Sequence, residues 1–190
     1  MRIISGEAKG KKLLAPPGRR VRPTLDRVRE ALFSSLGSRV EGTRVLDLFA
    51  GSGALGLEAL SRGAAYAVFV EQSKPVQEVL RRNISQLGFD AVAKLIAGEA
   101  MRTLKLFEKR GETFDLVFLD PPYDPSKKPH LPSLLDRALH DIADKSLLNS
   151  LGVVVAEHPR ETIVDLPDIL RKLSTKGYGD TGLTVLEWKG

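Results

Sequence analysis

Residues 45–56, with the sequence VLDLFAGSGALG, constrain the fold of this chain more than any other stretch. The stretch begins as an apolar run that is typical of a buried strand, and three glycines then fall within six residues. A helix-forming run, Leu57-Glu58-Ala59-Leu60, follows at once. Glycine has no Cβ and tolerates positive φ, so a ligand can approach the backbone of such a turn, and the helix N-terminus adds unpaired N–H groups. The stretch therefore predicts a strand, a tight turn and a helix that together bind a ligand.

The spacing Gly51-x-Gly53-x-x-Gly56 fits the dinucleotide fingerprint, and Glu71 stands 20 residues after Gly51, where that fingerprint has its ribose-binding acid. Oxidoreductases and other nucleoside-binding α/β proteins share this pattern. Asp47 at the strand end favours a different ligand, because a carboxylate there would repel a pyrophosphate but would suit a cation. S-adenosylmethionine (SAM) has a sulfonium, an ammonium and no phosphate. The sequence thus favours a SAM loop, with NAD(P) as the alternative.

Strand and helix patterns alternate from residue 44 onwards. Strands are predicted at 44–49, 66–71, 92–97, 114–119 and 152–157, helices at 53–62, 73–87, 99–109 and 131–143, a short helix near 167–172, and antiparallel strands at 175–178 and 183–188. This alternation predicts an α/β fold with a parallel sheet and helices on both faces. Ligands bind at the carboxyl ends of such strands. Residues 47–53, Glu71, Gly98-Glu99 and residues 120–123 should therefore meet in one crevice.

The composition limits the classes of protein to which the chain can belong. At 190 residues the chain is expected to form a single domain. It contains no cysteine, which excludes disulfides, cysteine-ligated zinc and thiol nucleophiles and fits a reducing cytoplasm. Its three histidines are scattered and suggest no metal site. No apolar run approaches the roughly 20 residues that a membrane-spanning helix needs.

Positive charge is concentrated near the N-terminus. Residues 1–29 carry nine Lys and Arg against two acids, a net charge of +7 in a chain whose total is +5. Residues 1–37 are expected to form a basic extension of the domain, made of a hairpin, a loop and a helix. Such a segment indicates a phosphate-rich partner; the alternatives are a solvated arm and, for Arg27 and Arg29, ion pairs with acids of the same helix. The candidate RNA-binding side chains are Arg19, Arg20, Arg22 and Arg27.

The tetrapeptide Asp120-Pro121-Pro122-Tyr123 is the most specific motif in the sequence. Two successive prolines fix two φ angles and remove two N–H donors, so the loop is stiff. Asp120 offers a side-chain acceptor, Pro121 a carbonyl and Tyr123 a flat ring. This set suits a planar base with an exocyclic amine, whose two N–H groups meet two acceptors while the ring stacks on the base. The alternative is a rigid loop with Tyr123 packed in the core.

An amine conjugated to a base is a poor nucleophile because its lone pair is delocalised. Two acceptors favour a pyramidal nitrogen and direct the lone pair at the SAM methyl group, in line with the departing sulfur. Positioning and electrostatics would supply most of the rate. Asp120 therefore need not be a strong base.

The residues 47–53 loop and the Asp-Pro-Pro-Tyr motif together resemble amino-directed, SAM-dependent methyltransferases. Both ends of the chain narrow this resemblance to the bacterial RsmD-type family, which methylates N2 of one guanine in 16S rRNA. The resemblance runs nearly from end to end, and its N-terminal part separates the chain from general adenine methyltransferases. The stretches that carry it at the ends are Arg2-Ile3-Ile4-Ser5-Gly6, Arg22-Pro23-Thr24, residues 26–33, Tyr178-Gly179-Asp180-Thr181 and Leu186-Glu187-Trp188.

The resemblance implies a Rossmann-like class I methyltransferase fold, a seven-stranded sheet of order 3-2-1-4-5-7-6 with an antiparallel last strand. It also implies that Asp47, Gly51 and Gly53 hold the methionine part of SAM. Glu71 would bind the ribose, and Glu99 the adenine amine. The full predicted cofactor set is Asp47, Phe49, Gly51, Ser52, Gly53, Glu71, Gln72, Glu99 and Ala100, and the predicted catalytic set is Asp120, Pro121, Pro122 and Tyr123.

We therefore predict a cytoplasmic, monomeric, metal-free enzyme that methylates guanine N2 in small-subunit rRNA, either as naked RNA or in an assembling subunit. The alternatives are an N6-adenine methyltransferase acting on RNA or DNA, a nucleotide-dependent oxidoreductase, and a non-catalytic RNA-binding protein. Small size argues against a DNA enzyme, and Asp47 and the Asp-Pro-Pro-Tyr motif argue against an oxidoreductase. We assign no functional role to Asn83, His158 or Trp188.

Overall fold

The structure is a computed structural model that describes residues 1–16, 23–122 and 132–189, with the backbone alone for residues 23–25. Its strands are β1 (Arg44–Asp47), β2 (Tyr66–Glu71), β3 (Ala93–Ala97), β4 (Phe114–Leu119), β5 (Leu148–Pro159), β6 (Leu170–Tyr178) and β7 (Thr181–Trp188). Its helices are α1 (Pro23–Leu36), α2 (Ala54–Ser61), α3 (Lys74–Leu87), α4 (Ala100–Arg110) and α5 (Leu134–Asp144). None of these helices combines the length and apolar character that crossing a membrane requires.

All seven strands form one sheet in the order β3-β2-β1-β4-β5-β7-β6. Strands β1 to β5 pair with one another in parallel, whereas β7 is antiparallel to both β5 and β6. The prediction of a mostly parallel seven-stranded sheet with an antiparallel last strand is confirmed. The carboxyl ends of β1, β2, β3 and β4 consequently lie along one edge, where the ligand-binding candidates were expected.

Alternating side chains of the central strands supply two separate apolar layers. Leu116 and Phe118 of β4 pack on one side of the sheet with α1, α2 and α3. Val117 and Leu119 pack on the other side with α4 and α5. Successive residues of a strand point to opposite faces, so a strand covered on both faces is apolar throughout. The continuous apolar runs in the sequence follow from this three-layer arrangement.

The prediction of a short helix near residues 167–172 is wrong. Residues 168–169 form a turn, and β6 begins at Leu170, which stands opposite Trp188 of β7. The spacing of Leu170 and Leu173 resembles a helical repeat. A register shift between Lys172 and Ser174 interrupts the ladder, so Leu170 is buried while Leu173 is 42% exposed. The three-residue spacing therefore comes from an irregular edge strand.

Residues 1–16 fold back on themselves and pack over α2. A single antiparallel bridge joins Arg2 and Lys12, where a hairpin was expected. The N–H of Glu7 donates to the Ser61 carbonyl at 2.9 Å, and the N–H of Ala8 donates to Ser61 Oγ at 3.0 Å. The N-terminal segment is thus tied to the helix that follows the glycine turn.

Glu58 of α2, which is fully buried, anchors this segment electrostatically. Its carboxylate accepts hydrogen bonds from the N–H groups of Ile4 at 2.8 Å and Ser5 at 3.1 Å. Arg62 donates to it at 2.7 Å, and Arg29 Nε lies 3.8 Å away. Several hydrogen-bond donors and nearby cations together offset the free-energy cost of burying this carboxylate.

Arg29, which the sequence left as either an RNA contact or an ion-pair partner, is 4% exposed. It donates to Asp26 at 3.0 Å and to the Arg2 carbonyl. Burial lowers the pKa of Arg29, and the charges of Glu58 and Asp26 oppose that effect. The ion-pair alternative is therefore the correct one for this side chain.

Glu58→Ala should destabilise the protein by about 3–5 kcal/mol, because it leaves the Arg29 charge buried with weaker compensation. Urea unfolding measures the change. Glu78→Ala removes an exposed carboxylate from α3 and is the control, expected to change the free energy of unfolding by less than about 0.5 kcal/mol. Equal effects of the two substitutions would contradict the role given to Glu58.

Candidate functional site

Two adjoining pockets open at the carboxyl ends of the central strands. The first, here called the N-terminal pocket, has a volume of about 130 Å³ and lies between the glycine turn, α1 and the first residues of the chain. The second, here called the strand-end pocket, has a volume of about 270 Å³ and lies beside the ends of β2 and β3. They form one crevice because four residues line both: Pro16, Phe49, Gly51 and Asp120.

The glycine turn has a left-handed backbone, with φ of +54° at Gly51 and +83° at Gly53. Residues with a Cβ rarely adopt such values. Gly56 has a different function, since a Cβ there would lie 2.4 Å from Cε1 of Phe69 on β2. The first two glycines therefore shape the turn, and the third allows α2 to pack closely on the sheet.

Asp47, at the end of β1, is 2% exposed and lines the N-terminal pocket. Its Oδ2 accepts a hydrogen bond from the Gly56 N–H at 3.0 Å. Burial raises the pKa of Asp47 to about 7, the Gly56 hydrogen bond opposes that shift, and the nearby charges of Asp120 and Glu71 add to it. A cation bound in the pocket would favour the charged form of Asp47 and so lower its pKa.

Glu71, at the end of β2, holds the glycine turn from the opposite side. Its carboxylate accepts hydrogen bonds from the N–H groups of Gly51 at 3.0 Å and Ser73 at 2.8 Å. Each carboxylate oxygen has a second lone pair, so these bonds leave acceptor capacity toward the strand-end pocket. Gln72, which is exposed, lines the same pocket.

Glu99 is the N-cap of α4. Its side chain accepts from the N–H groups of Met101 at 3.1 Å and Arg102 at 3.0 Å. It lines the strand-end pocket together with Gly98 and the buried Ala100. The capping bonds fix the carboxylate at the mouth of the pocket, and the sequence analysis had not assigned this capping role.

Asp120 follows β4 and lines both pockets, which makes it the carboxylate at their junction. Pro121 is partly buried and lines neither pocket, whereas Pro122 is exposed and lines the strand-end pocket. Tyr123 lies outside the described residues. The Asp-Pro-Pro part of the motif thus stands at the edge of the crevice.

The predicted site residues do not all line the same pocket. Phe49 and Gly51 line both pockets, Ser52 lines the N-terminal pocket, and Gly53 lines neither. Arg27 is exposed on α1 and lines neither pocket. The other RNA-binding candidates, Arg19, Arg20 and Arg22, lie outside the described residues.

Several pocket residues had no place in the sequence analysis. Glu157 of β5 lines the N-terminal pocket, and the rule that places ligands at strand ends could have identified it. Pro16 lines both pockets but belongs to the N-terminal segment, for which no sequence pattern indicated proximity to the crevice. Within the described part of the chain, no cluster of three or more His, Cys, Asp or Glu has the arrangement of a metal site.

A family model described as conserved hypothetical protein 95 matches residues 1–187 of the chain. YlbH from Bacillus subtilis is 38% identical over 193 residues that cover all of both chains. Ribosomal RNA small subunit methyltransferase D from Haemophilus influenzae is 33% identical over 180 residues, which cover 94% of this chain and 89% of that protein. The solved structure of YhhF from Escherichia coli superposes with a TM-score of 0.85 at 30% identity, over 100% of this chain and 98% of that one.

Asp47→Asn should remove part of the pH dependence of stability. In the folded protein the pKa of Asp47, about 7, lies above its ordinary value of 3.8, so the folded state holds this proton more tightly than the unfolded chain. As the pH rises from about 4 to about 7, the wild-type free energy of unfolding should lose a contribution on the order of 4 kcal/mol. The Asn variant has no group that titrates at this position and should lose no such contribution.

Urea unfolding at a series of pH values measures this difference. Asp90→Asn changes an exposed aspartate and is the matched control, whose curve should run parallel to that of the wild type. Parallel curves for the wild type and Asp47→Asn would contradict a raised pKa at Asp47.

Proposed function

The chain belongs to the conserved hypothetical protein 95 family, and we propose that it transfers a methyl group from SAM to N2 of a guanine in small-subunit rRNA. The observation that carries the proposal is the position of Asp120. This carboxylate stands where the N-terminal pocket, with the buried Asp47, meets the strand-end pocket. A methyl donor and an acceptor amine must meet at such a junction.

SAM is the cofactor of this methyltransferase, and when bound it supplies an electrophilic methyl group. The acids of the crevice fit a cation: Asp47, Asp120 and Glu157 line the N-terminal pocket, where Arg29 is the one basic side chain among the described lining residues. The strand-end pocket is lined by the carboxylates of Glu71, Glu99 and Asp120, and no Lys or Arg of the described residues lines it. These acids would repel a pyrophosphate, which argues against the alternative of a nucleotide-dependent oxidoreductase.

The adenosine part of SAM would occupy the strand-end pocket. Glu71, with Gln72, would accept from the ribose hydroxyls, and Glu99, with Ala100, would meet the adenine amine. The carboxylates of Glu71 and Glu99 are already fixed by backbone N–H groups, so they would bind without losing side-chain freedom. Val76 supplies apolar surface in the same pocket.

The methionine part would lie along the glycine turn. Asp47 would be held in its charged form by the ligand's positive charges, and Gly51 and Ser52 would offer backbone groups beside it. Phe49 lines both pockets and would separate bulk water from the junction. Gly53 would act through the shape of the turn, because it lines neither pocket.

The acceptor amine would be held by the Asp-Pro-Pro-Tyr motif. The Asp120 carboxylate and the Pro121 carbonyl would accept its two N–H groups, Pro122 would stiffen the loop, and Tyr123 would stack on the base. Bonds to two acceptors turn the nitrogen lone pair toward the methyl group. Asp120 also balances the positive charge that grows on nitrogen during transfer, which is electrostatic stabilisation by a preorganised group.

In this proposal the acceptors around Asp120 favour guanine over adenine. Beside its amine guanine carries N1–H, a donor, whereas adenine carries an acceptor at N1. Glu157 lines the N-terminal pocket together with Asp47 and Asp120, so three carboxylates line that pocket. A pocket lined by several acceptors favours a base edge with neighbouring donors, so the N6-adenine alternative is less well supported.

Basic side chains of the N-terminal part of the chain would bind the RNA. Arg19, Arg20 and Arg22 begin three residues after Pro16, which lines both pockets, and Arg27 is exposed on α1. Phosphate contacts from these side chains would position the RNA without reading its sequence. We propose a cytoplasmic monomer whose partner is small-subunit rRNA or an assembling small subunit.

Asp120→Ala should abolish methyl transfer and leave SAM bound, because Asp120 is assigned to the base amine. Asp120→Asn is the sharper test. Asn keeps one side-chain oxygen as an acceptor but carries no charge, so it should retain partial activity if Asp120 orients the lone pair. An amide cannot accept a proton at neutral pH, so a general base would leave both variants equally inactive.

The measurement is single-turnover methyl transfer at saturating SAM and RNA. Wild-type rates from Asp120→Ala would contradict the assignment of the site, and equal loss in Asn and Ala would contradict the orienting role. SAM affinity, measured by calorimetry, should be close to that of the wild type in both variants.

Changing Arg19, Arg20 and Arg22 together to Glu should weaken RNA binding without changing SAM affinity. Each lost phosphate contact should also reduce the slope of log affinity against log salt by about one unit. The charge-matched control changes three exposed lysines that line neither pocket, Lys94, Lys105 and Lys109. An unaltered salt slope in the arginine variant would favour the solvated-arm alternative.

A further inference from the structure

We propose that the side-chain amide of Asn83 couples the glycine turn to the N-terminal segment, so that cofactor binding at the turn fixes residues 14–16 in place. Asn83 is a positioning residue in this proposal, since it lines neither pocket. The proposal rests on the proposed function only in taking the glycine turn as the cofactor site. It gives a role to a side chain for which the sequence indicated none.

Asn83 lies on α3 with no exposed surface. Its Nδ2 donates to two backbone carbonyls, that of Leu14 at 3.0 Å and that of Ser52 at 2.9 Å. Its Oδ1 accepts from the Leu14 N–H at 2.8 Å and from Gln86 Nε2 at 3.0 Å. An amide side chain has two donor hydrogens and two acceptor lone pairs, and all four are used here.

No other side chain of this size can replace the amide. Aspartate has no donor for the two carbonyls, and leucine, which has a similar shape, has neither donor nor acceptor. Loss of the amide would leave the carbonyl of Ser52 without this partner in a buried place, and the part-buried N–H and carbonyl of Leu14 would lose theirs. Such orphaned groups are costly, so the amide specifies the relative position of the two backbone segments.

The two segments joined by Asn83 both reach the crevice. Ser52 belongs to the glycine turn and lines the N-terminal pocket. Leu14 precedes Ala15, which lines the same pocket, and Pro16, which lines both. Because the amide is planar and rigid, a ligand that orders the turn at Ser52 also orders the chain at Leu14.

The coupling through Asn83 would also act in the opposite direction. Coupling between two sites is reciprocal, so anything that fixes residues 14–16 must tighten cofactor binding by the same factor. The basic residues Arg19, Arg20 and Arg22 begin three residues after this segment in the sequence. Binding of an RNA beside residues 14–16 would therefore favour the cofactor-bound turn.

The test is hydrogen exchange of the Leu14 amide, followed by NMR with and without S-adenosylhomocysteine as the probe and with no RNA present. In the wild type, a saturating probe should slow this exchange at least tenfold, because ordering of Ser52 tightens the Asn83 link. A merely structural role for Asn83 would change the overall stability but not the response of Leu14 to the probe.

Three variants make the test specific. Asn83→Asp keeps the acceptor for the Leu14 N–H but places an oxygen against the Ser52 carbonyl, so the response to the probe should disappear. Asn83→Ala should also lose the response; if it does not fold, the Asp variant alone decides the outcome. Asn149→Ala removes an amide that donates to Asp115 and lines neither pocket, so it should respond as the wild type does.

Two results would overturn the proposal. One is a wild-type Leu14 amide that exchanges at the same rate with and without bound probe. The other is a wild-type response retained in folded Asn83→Asp. Both results are obtained without RNA, so neither depends on whether rRNA is methylated. A failure to methylate rRNA would therefore not contradict this proposal.

Discussion

Two backbone N–H groups, that of Gly51 in the glycine turn and that of Gly56 in the first turn of α2, donate to carboxylates at the ends of neighbouring strands. Glu71 of β2 holds the first at 3.0 Å, and Asp47 of β1 holds the second at 3.0 Å. These bonds fix a turn whose left-handed residues have few alternatives in a packed sheet end. The shape of both pockets depends on them, since Gly51 lines both and the turn forms the wall between β1 and α2.

The same carboxylates give the crevice its chemical character. Burial raises the pKa of Asp47 to about 7, and the nearby charges of Asp120 and Glu71 add to this effect. The electrostatic free energy of such an acidic site is highest when the site is empty, and it falls when a cation binds. The proposed preference for a cationic nucleoside over a phosphate-bearing one would therefore rest in part on Asp47 and Glu71, which also hold the turn.

Much of this arrangement could be predicted from the sequence, because parallel strands covered on both faces have an unmistakable apolar pattern. Once the strands are ordered, the rule for strand ends brings Asp47, Glu71, Glu99 and Asp120 to one edge of the sheet. The pattern failed at residues 167–172, where an interrupted edge strand imitates helical spacing. The burial of Glu58 could not be predicted, since its partners Ile4 and Ser5 lie more than 50 residues away in the chain.

The contacts of Asn83 also could not be predicted from the sequence. Its partner Leu14 is 69 residues away, and a polar residue on a helix is most often solvated, so its sequence context gave no sign of a fully bonded buried amide. Long-range polar contacts of this kind depend on how the N-terminal segment folds over α2 and α3. The central strand pattern carries no information about that packing.

The central claim, methyl transfer to guanine N2 in small-subunit rRNA, is tested most directly by identifying the modified nucleoside. The protein is incubated with methyl-labelled SAM and small ribosomal subunits that lack this modification, and the RNA is digested to nucleosides. The account predicts label in N2-methylguanosine, approaching one methyl group per subunit, and none with Asp120→Ala. Label in N6-methyladenosine, or no label although SAM is bound, would contradict it.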